Sequence, residues 1–175
     1  PISFHAVYWD AGRQQMLGVP VQAPNTVVAY DVNTGAEVTR YTVEAAQQPL
    51  KFMTSNDSRW LVAYADSLLT LWDRSSGAVY TLPAPSYLAS YIVSTLVGIS
   101  TDSHYLVMFN EGNLLVWDLT ALTSDAPPLY THPRGWYYGG VTFVNGNTIS
   151  NFNLYAPMYM NVVTGAITGD NVRVD

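Results

Sequence analysis

One phrase occurs four times along this chain at a near-constant interval, which limits the fold to equal units set side by side. Residues 27–38 read VVAYDVNTGAEV, residues 67–79 SLLTLWDRSSGAV, residues 114–120 LLVWDLT and residues 156–167 APMYMNVVTGAI. Aligned on Tyr30, Trp72, Trp117 and Met160, the units recur at spacings of 42, 45 and 43 residues. A second marker keeps the same phase, because Gly35, Gly77 and Gly165 each follow the first by five positions. The third unit alone departs, with Leu122 at that place and a longer loop from Thr123 to Pro128.

The phrase has a physical reading. A run such as Leu68-Leu69-Thr70-Leu71-Trp72 is rich in strand formers, and the polar stretch after it supplies a turn. Asp or Asn folds its side chain back onto the turn backbone, and Gly accepts the positive φ that other residues resist. The chain then re-enters a strand, Ala36 to Val43 in the first unit and Ala78 to Leu82 in the second. A further turn lies upstream at constant phase: Asp57, Asp102 and Asn145 sit 15 residues before Trp72, Trp117 and Met160. The first unit has a looser counterpart, Asp10-Ala11-Gly12-Arg13, with extra length around Pro20 to Pro24. Each unit therefore predicts four strands joined by three turns. No segment sustains i, i+3, i+4 apolar spacing, so helix content should be near zero.

At this point the resemblance becomes specific. Four-stranded units of about 40–45 residues with Trp-Asp closing the third strand resemble blades of WD-repeat β-propellers. The stretch Thr54 through Asp73 (TSNDSRWLVAYADSLLTLWD) is similar to that family's consensus, and Asp66 and Glu111 take the place of its tight-turn acid. The resemblance is strong in the second and third units and weaker in the first and fourth. The Thr-Gly-Ala phrases also resemble those of secreted quinoprotein-like propellers. The family's Gly-His pair before the first strand is absent, so its His–Ser/Thr–Asp–Trp hydrogen-bond network cannot be complete. The expected fold is all-β, a propeller of four-stranded antiparallel blades at about 1–43, 44–82, 83–130 and 131–175.

No blade shared between the two chain ends is visible, and the chain begins at Pro1 close to a strand. The expectation is a portion of a longer propeller of about seven or eight blades, or half of one completed by a partner. A closed four-bladed monomer is the alternative. An open array would leave the apolar faces of the first and fourth units uncovered, which is an assembly surface.

Charge narrows the function. Asp, Glu, Lys and Arg make up 11 % of the chain, against about 25 % in an average soluble domain. With a net charge of −6, one lysine and scattered arginines, no basic stripe exists to neutralise phosphates, which argues against nucleic acid. No apolar run reaches the roughly 18 residues of a membrane helix. The chain has no cysteine, so disulfides, thiolate metal sites and a cysteine nucleophile are excluded. A surface so poor in charge fits an extracytoplasmic protein or a subunit embedded in a large complex.

Catalytic chemistry finds little footing. His5, His104 and His132 lack metal-ligand spacing, with His104 in a strand-connecting turn. Asp31, Asp57, Asp73, Asp102 and Asp118 recur at equivalent positions, so each is expected to serve its turn rather than converge on a site. Nucleophile-elbow and phosphate-loop motifs are absent. Catalytic, cofactor and metal sites are therefore expected to be none. Trp72 and Trp117 read as core residues, Trp60 as packed between units, and Asn56-Asp57-Ser58 as a formal glycosylation sequon.

Trp136-Tyr137-Tyr138, preceded by Arg134, is different, because three adjacent aromatics on a period-two strand cannot all point inward. Tyr87 and Tyr91 lie at the same phase one unit earlier. These six residues form the candidate interaction surface, being of the types that dominate interfaces. The expected function is a non-catalytic scaffold or structural subunit whose partners are other protein chains or further blades. The alternative is a secreted or periplasmic propeller that binds a small ligand or glycan at its central channel, as a binding protein or an enzyme.

Overall fold

The computed structural model describes residues 2–44, 46, 49–65, 68–83, 95–110, 113–132, 141–152 and 157–168, which form sixteen strands in four antiparallel sheets. The first sheet comprises β1 (Phe4–Asp10), β2 (Gln15–Pro20), β3 (Thr26–Asp31) and β4 (Glu37–Thr42). The second comprises β5 (Lys51–Thr54), β6 (Trp60–Ala65), β7 (Leu68–Asp73) and β8 (Val79–Pro83). The third is built from β9 (Thr95–Ile99), β10 (Tyr105–Asn110), β11 (Asn113–Asp118) and β12 (Tyr130–His132). The fourth holds β13 (Val141–Asn145), β14 (Thr148–Phe152), β15 (Pro157–Asn161) and β16 (Ile167–Thr168). Each sheet is a simple meander in sequence order. The second and third run slightly past the expected unit limits, to Pro83 and His132.

The turn chemistry is as the repeat implies. Asp31 Oδ1 accepts the N–H groups of Asn33 (3.0 Å) and Thr34 (2.8 Å), and Asn161 does the same for Val163 (2.9 Å) and Thr164 (3.0 Å). Asp73 and Asp118 bind the N–H and hydroxyl of Ser75 and Thr120. Gly35, Gly77 and Gly165 sit at φ of 68°, 78° and 70°. Their N–H groups close the turns on the carbonyls of Asp31, Asp73 and Asn161. An added Cβ at Gly35 or Gly77 would touch nothing, so conformation and not space demands glycine there.

The upstream turns hold a feature the sequence reading passed over. Ser55 and Ser100 cap them, each hydroxyl donating to Asp57 or Asp102 at 2.5 Å and accepting the N–H of Trp60 (2.9 Å) or Tyr105 (2.8 Å). The loose first-unit counterpart has Asp10 at this place, opposite Gln15 as Ser55 is opposite Trp60. The extra length there is the connection Val21–Asn25, ahead of β3. Asp66 and Glu111 lie outside the described residues.

The chain divides into two units. The first joins the two N-terminal sheets (1–86 with 123–126) and the second the two C-terminal ones (87–122 with 127–175). In the first, Leu17, Val19, Val27 and Ala29 of one sheet form a single apolar cluster with Leu61, Ala63 and Trp72 of the other, flanked by Tyr41 and Phe52. In the second, Val107, Leu114 and Val116 meet Ile149, Met160 and Val162, flanked by Tyr105 and Phe143. Burying one such side chain is worth about 1.5–3 kcal/mol, so these sheet-to-sheet layers carry much of each unit's stability.

Candidate interaction face

Strand register fixes which positions correspond between sheets. The row Trp9–Met16–Tyr30 runs across β1, β2 and β3. It is matched by Thr54–Leu61–Trp72 in the second sheet and Phe143–Ile149–Met160 in the fourth. Partners across an antiparallel ladder project to one side, so each row marks one face of its sheet. In the second and fourth sheets this face is covered by the preceding sheet, which buries Leu61, Trp72, Ile149 and Met160.

The first sheet presents the same face uncovered. Val7 is 55 % exposed, Trp9 50 % and Val32 52 %, the last where buried Arg74 and Val162 stand two positions past Trp72 and Met160. Ile2 adds to the exposed apolar area. Part of the face is shielded by the chain itself. Phe4 lies over Gly18, where a Cβ would come within 2.6 Å of its ring, and meets Tyr30 edge-on at 5.9 Å. Beside it a cleft of about 290 Å³ is lined by Ile2, Phe4, Met16, Tyr30 and Val32, with Asp31 and Gly35 at its rim.

The opposite face of the first sheet is closed by a buried ion pair. Asp10 and Arg74 side chains are each 1 % exposed and bonded to one another. Arg74 also donates to the Tyr41 hydroxyl (3.0 Å), Gln15 Oε1 (2.8 Å) and the Ser58 carbonyl (3.4 Å), and its guanidinium lies over the Tyr41 ring. Ser58 donates its hydroxyl to Asp10. Arg13 seals the edge with bonds to the carbonyls of Ser58 (3.3 Å) and Arg74 (3.0 Å). A Cβ at Gly12 would collide with the Ser58 hydroxyl.

A second ion pair is open to solvent on one side. Arg59 bonds both oxygens of Asp73, the shortest contact being 2.8 Å, and lies over the Trp60 ring at 5.0 Å. The Arg59 hydrogen bonds hold the Asp73 carboxyl far below the usual carboxylate range. A depressed folded-state pKa gives stability that is present above the unfolded value near 3.9 and lost as pH falls below it. The urea midpoint of the chain should therefore be flat around neutrality and decline below about pH 4. Asp73→Asn should flatten that acid limb.

Of the residues singled out in the sequence, Arg134, Trp136, Tyr137, Tyr138, Tyr87 and Tyr91 lie outside the described residues. His5 and His104 are exposed, and His104 Nδ1 stands 3.6 Å from Asp102 in its turn. Among the described residues no three His, Asp or Glu side chains gather into a metal-holding group, and no helix is long and apolar enough to cross a membrane. The uncovered face of the first sheet was not singled out residue by residue. Its signal is Val7 and Trp9, large apolar residues at i and i+2 of one strand, with Val32 two positions past Tyr30.

No protein-family model and no curated protein matches the chain. Solved structures do. A crystal structure of RRP9 WD40 repeats superposes with a TM-score of 0.67 at 9 % identity, covering 96 % of this chain and 51 % of that one. The structure of U3-55K gives the same values. The mitotic checkpoint complex matches with a TM-score of 0.66 at 15 % identity, over 95 % of this chain and 52 % of that one. The fold is that of WD40-repeat propeller blades. The chain spans about half the length of each of these structures.

Proposed function

We propose that this chain is a non-catalytic propeller scaffold that joins other protein chains or further blades into an assembly. One observation carries the reading: the first blade exposes Val7, Trp9 and Val32 on a face whose equivalents in the second and fourth blades are buried by a neighbouring sheet. A contiguous apolar patch of this kind on a folded surface is a contact site. The carboxylates support the non-catalytic part, since Asp31, Asp73, Asp102 and Asp118 are occupied by backbone and hydroxyl groups of their own turns. Tyr87, Tyr91, Arg134, Trp136, Tyr137 and Tyr138 are proposed as further contact residues on their side-chain types alone.

The test is a photo-crosslinking amino acid placed at Trp9 and, as control, at the equally exposed Val79 on β8. In extracts of the native source, position 9 should capture polypeptide well above the level at position 79. Equal labelling at the two positions sinks the reading.

A further inference from the structure

Asn145-Gly146 is the one Asn-Gly step in the sequence, and it lies at the turn between β13 and β14. By register Asn145, opposite Thr148, stands where Asp10, Ser55 and Ser100 stand in the other blades. Those three side chains are tied down, Asp10 by Arg74 and Ser58, Ser55 by Asp57, and Ser100 by Asp102. Asn145 is exposed, and among the described residues nothing holds its side-chain amide. Asn161, in the later turn of the same blade, is the contrast. Its Oδ1 accepts the N–H groups of Val163 (2.9 Å) and Thr164 (3.0 Å), which fixes the side chain in place.

A free amide followed by glycine is set up for a spontaneous rearrangement. The backbone nitrogen after an asparagine attacks the side-chain Cγ, and glycine, with no Cβ, obstructs that approach least. The Gly146 N–H has no hydrogen-bond partner among the described residues, so no ladder bond restrains the attacking nitrogen. The N–Cγ bond forms as the Cγ–Nδ2 bond breaks, and ammonia departs with the proton given up by the Gly146 nitrogen. Solvent water then opens the cyclic imide. Cleavage of the new N–Cγ bond leaves aspartate. Cleavage of the original main-chain bond leaves isoaspartate, whose backbone runs through the former side chain and is longer by one methylene.

We propose that Asn145 is a self-modification site, converting in the folded chain to aspartate and isoaspartate, and that the isoaspartate loosens the fourth blade. The surroundings of the turn carry the second part. Asp102 of the third blade stands against it, with Oδ2 3.3 Å from where a Gly146 Cβ would lie, so new negative charge arrives near an existing carboxylate. Asp102 has only exposed His104 beside it as a counter-charge, at 3.6 Å. Across the turn the Asn147 carbonyl accepts the Val162 N–H (2.8 Å), and buried Val162 belongs to the core formed with the third blade. A lengthened backbone at position 145 displaces that carbonyl and breaks the pairing of Asn145 with Thr148.

The test is to age the purified chain in mildly alkaline buffer, folded and in urea, and to follow it by charge-resolved chromatography. A species more acidic than the starting chain should appear at comparable rates in both samples, and peptide mapping should place aspartate and isoaspartate at residue 145. Gly146→Ala should slow the conversion about tenfold or more, because a Cβ crowds the attacking nitrogen. Asn145→Ser, which installs the residue of the second and third blades, should abolish it. The isoaspartate fraction should unfold at lower urea than the unconverted chain, while Asn145→Ser keeps its midpoint through the same ageing. An Asn145 that stays intact in the folded chain while converting in urea overturns the proposal, as does an acidic species that maps to another asparagine. Equal midpoints for the isoaspartate and unconverted fractions overturn the loosening.

Discussion

Arg74→Met will destabilise the chain by about 3–5 kcal/mol, the cost of stripping one partner from a buried ion pair. The cause is the charge left behind. Asp10 lies buried beside Arg74, and without the guanidinium it keeps only the Ser58 hydroxyl. Three further acceptors, Tyr41 Oη, Gln15 Oε1 and the Ser58 carbonyl, lose a donor at the same moment. The chain contains its own template for repair. In the third and fourth blades the positions of Asp10 and Arg74 hold Ser100 and Val162, both buried. The Asp10→Ser, Arg74→Val pair should therefore recover most of the loss, although each half alone is costly. Urea denaturation of the four members of this cycle checks it, and additive effects would show that the pair is not a coupled unit.

Trp72→Ala will cost a comparable amount, about 3–5 kcal/mol, through a cavity in place of a lost charge. Trp72 belongs to the cluster that binds the first two blades and meets Tyr41 edge-on at 5.5 Å. Tyr41 in turn accepts from Arg74, so the Trp72 and Arg74 losses should not add. Tyr30→Ala, at the same position of the first blade, should cost clearly less because its face is uncovered and Tyr30 keeps partial exposure. Equal losses at Tyr30 and Trp72 in chemical denaturation would contradict the assignment of that face as open.

The contrast between these residues also explains what a sequence of this kind discloses. Turns were readable because their chemistry is local: Asp31 reaches Thr34, and Gly35 closes on Asp31. The marker positions were readable because every one faces an apolar residue of the second strand, Met16, Leu61, Leu106 or Ile149. The polar clasp of Asp10 and Arg74 was not, since the two are 64 residues apart. Asp10, moreover, sits in a stretch that reads as one more turn aspartate. Its place in the register, opposite Gln15, is what separates it from Asp57 and Asp102. The uncovered face was hidden for a related reason. Val7, Trp9 and Val32 are ordinary strand and turn residues in isolation, and only comparison with their more covered equivalents, partly buried Phe52, Thr54 and Phe143 and buried Arg74 and Val162, makes their exposure informative.

The clasp also bears on how such a chain grows. A unit whose turns are closed by its own side chains can be duplicated as a cassette, since a copied segment brings its folding information with it. The Asp10–Arg74 pair does not travel that way, because each partner sits on a different unit. A rearrangement that placed the second blade behind any other would bury a cation against a neutral surface. The pair therefore acts as an address, fixing which blade follows which in an array whose apolar layers alone would tolerate reshuffling.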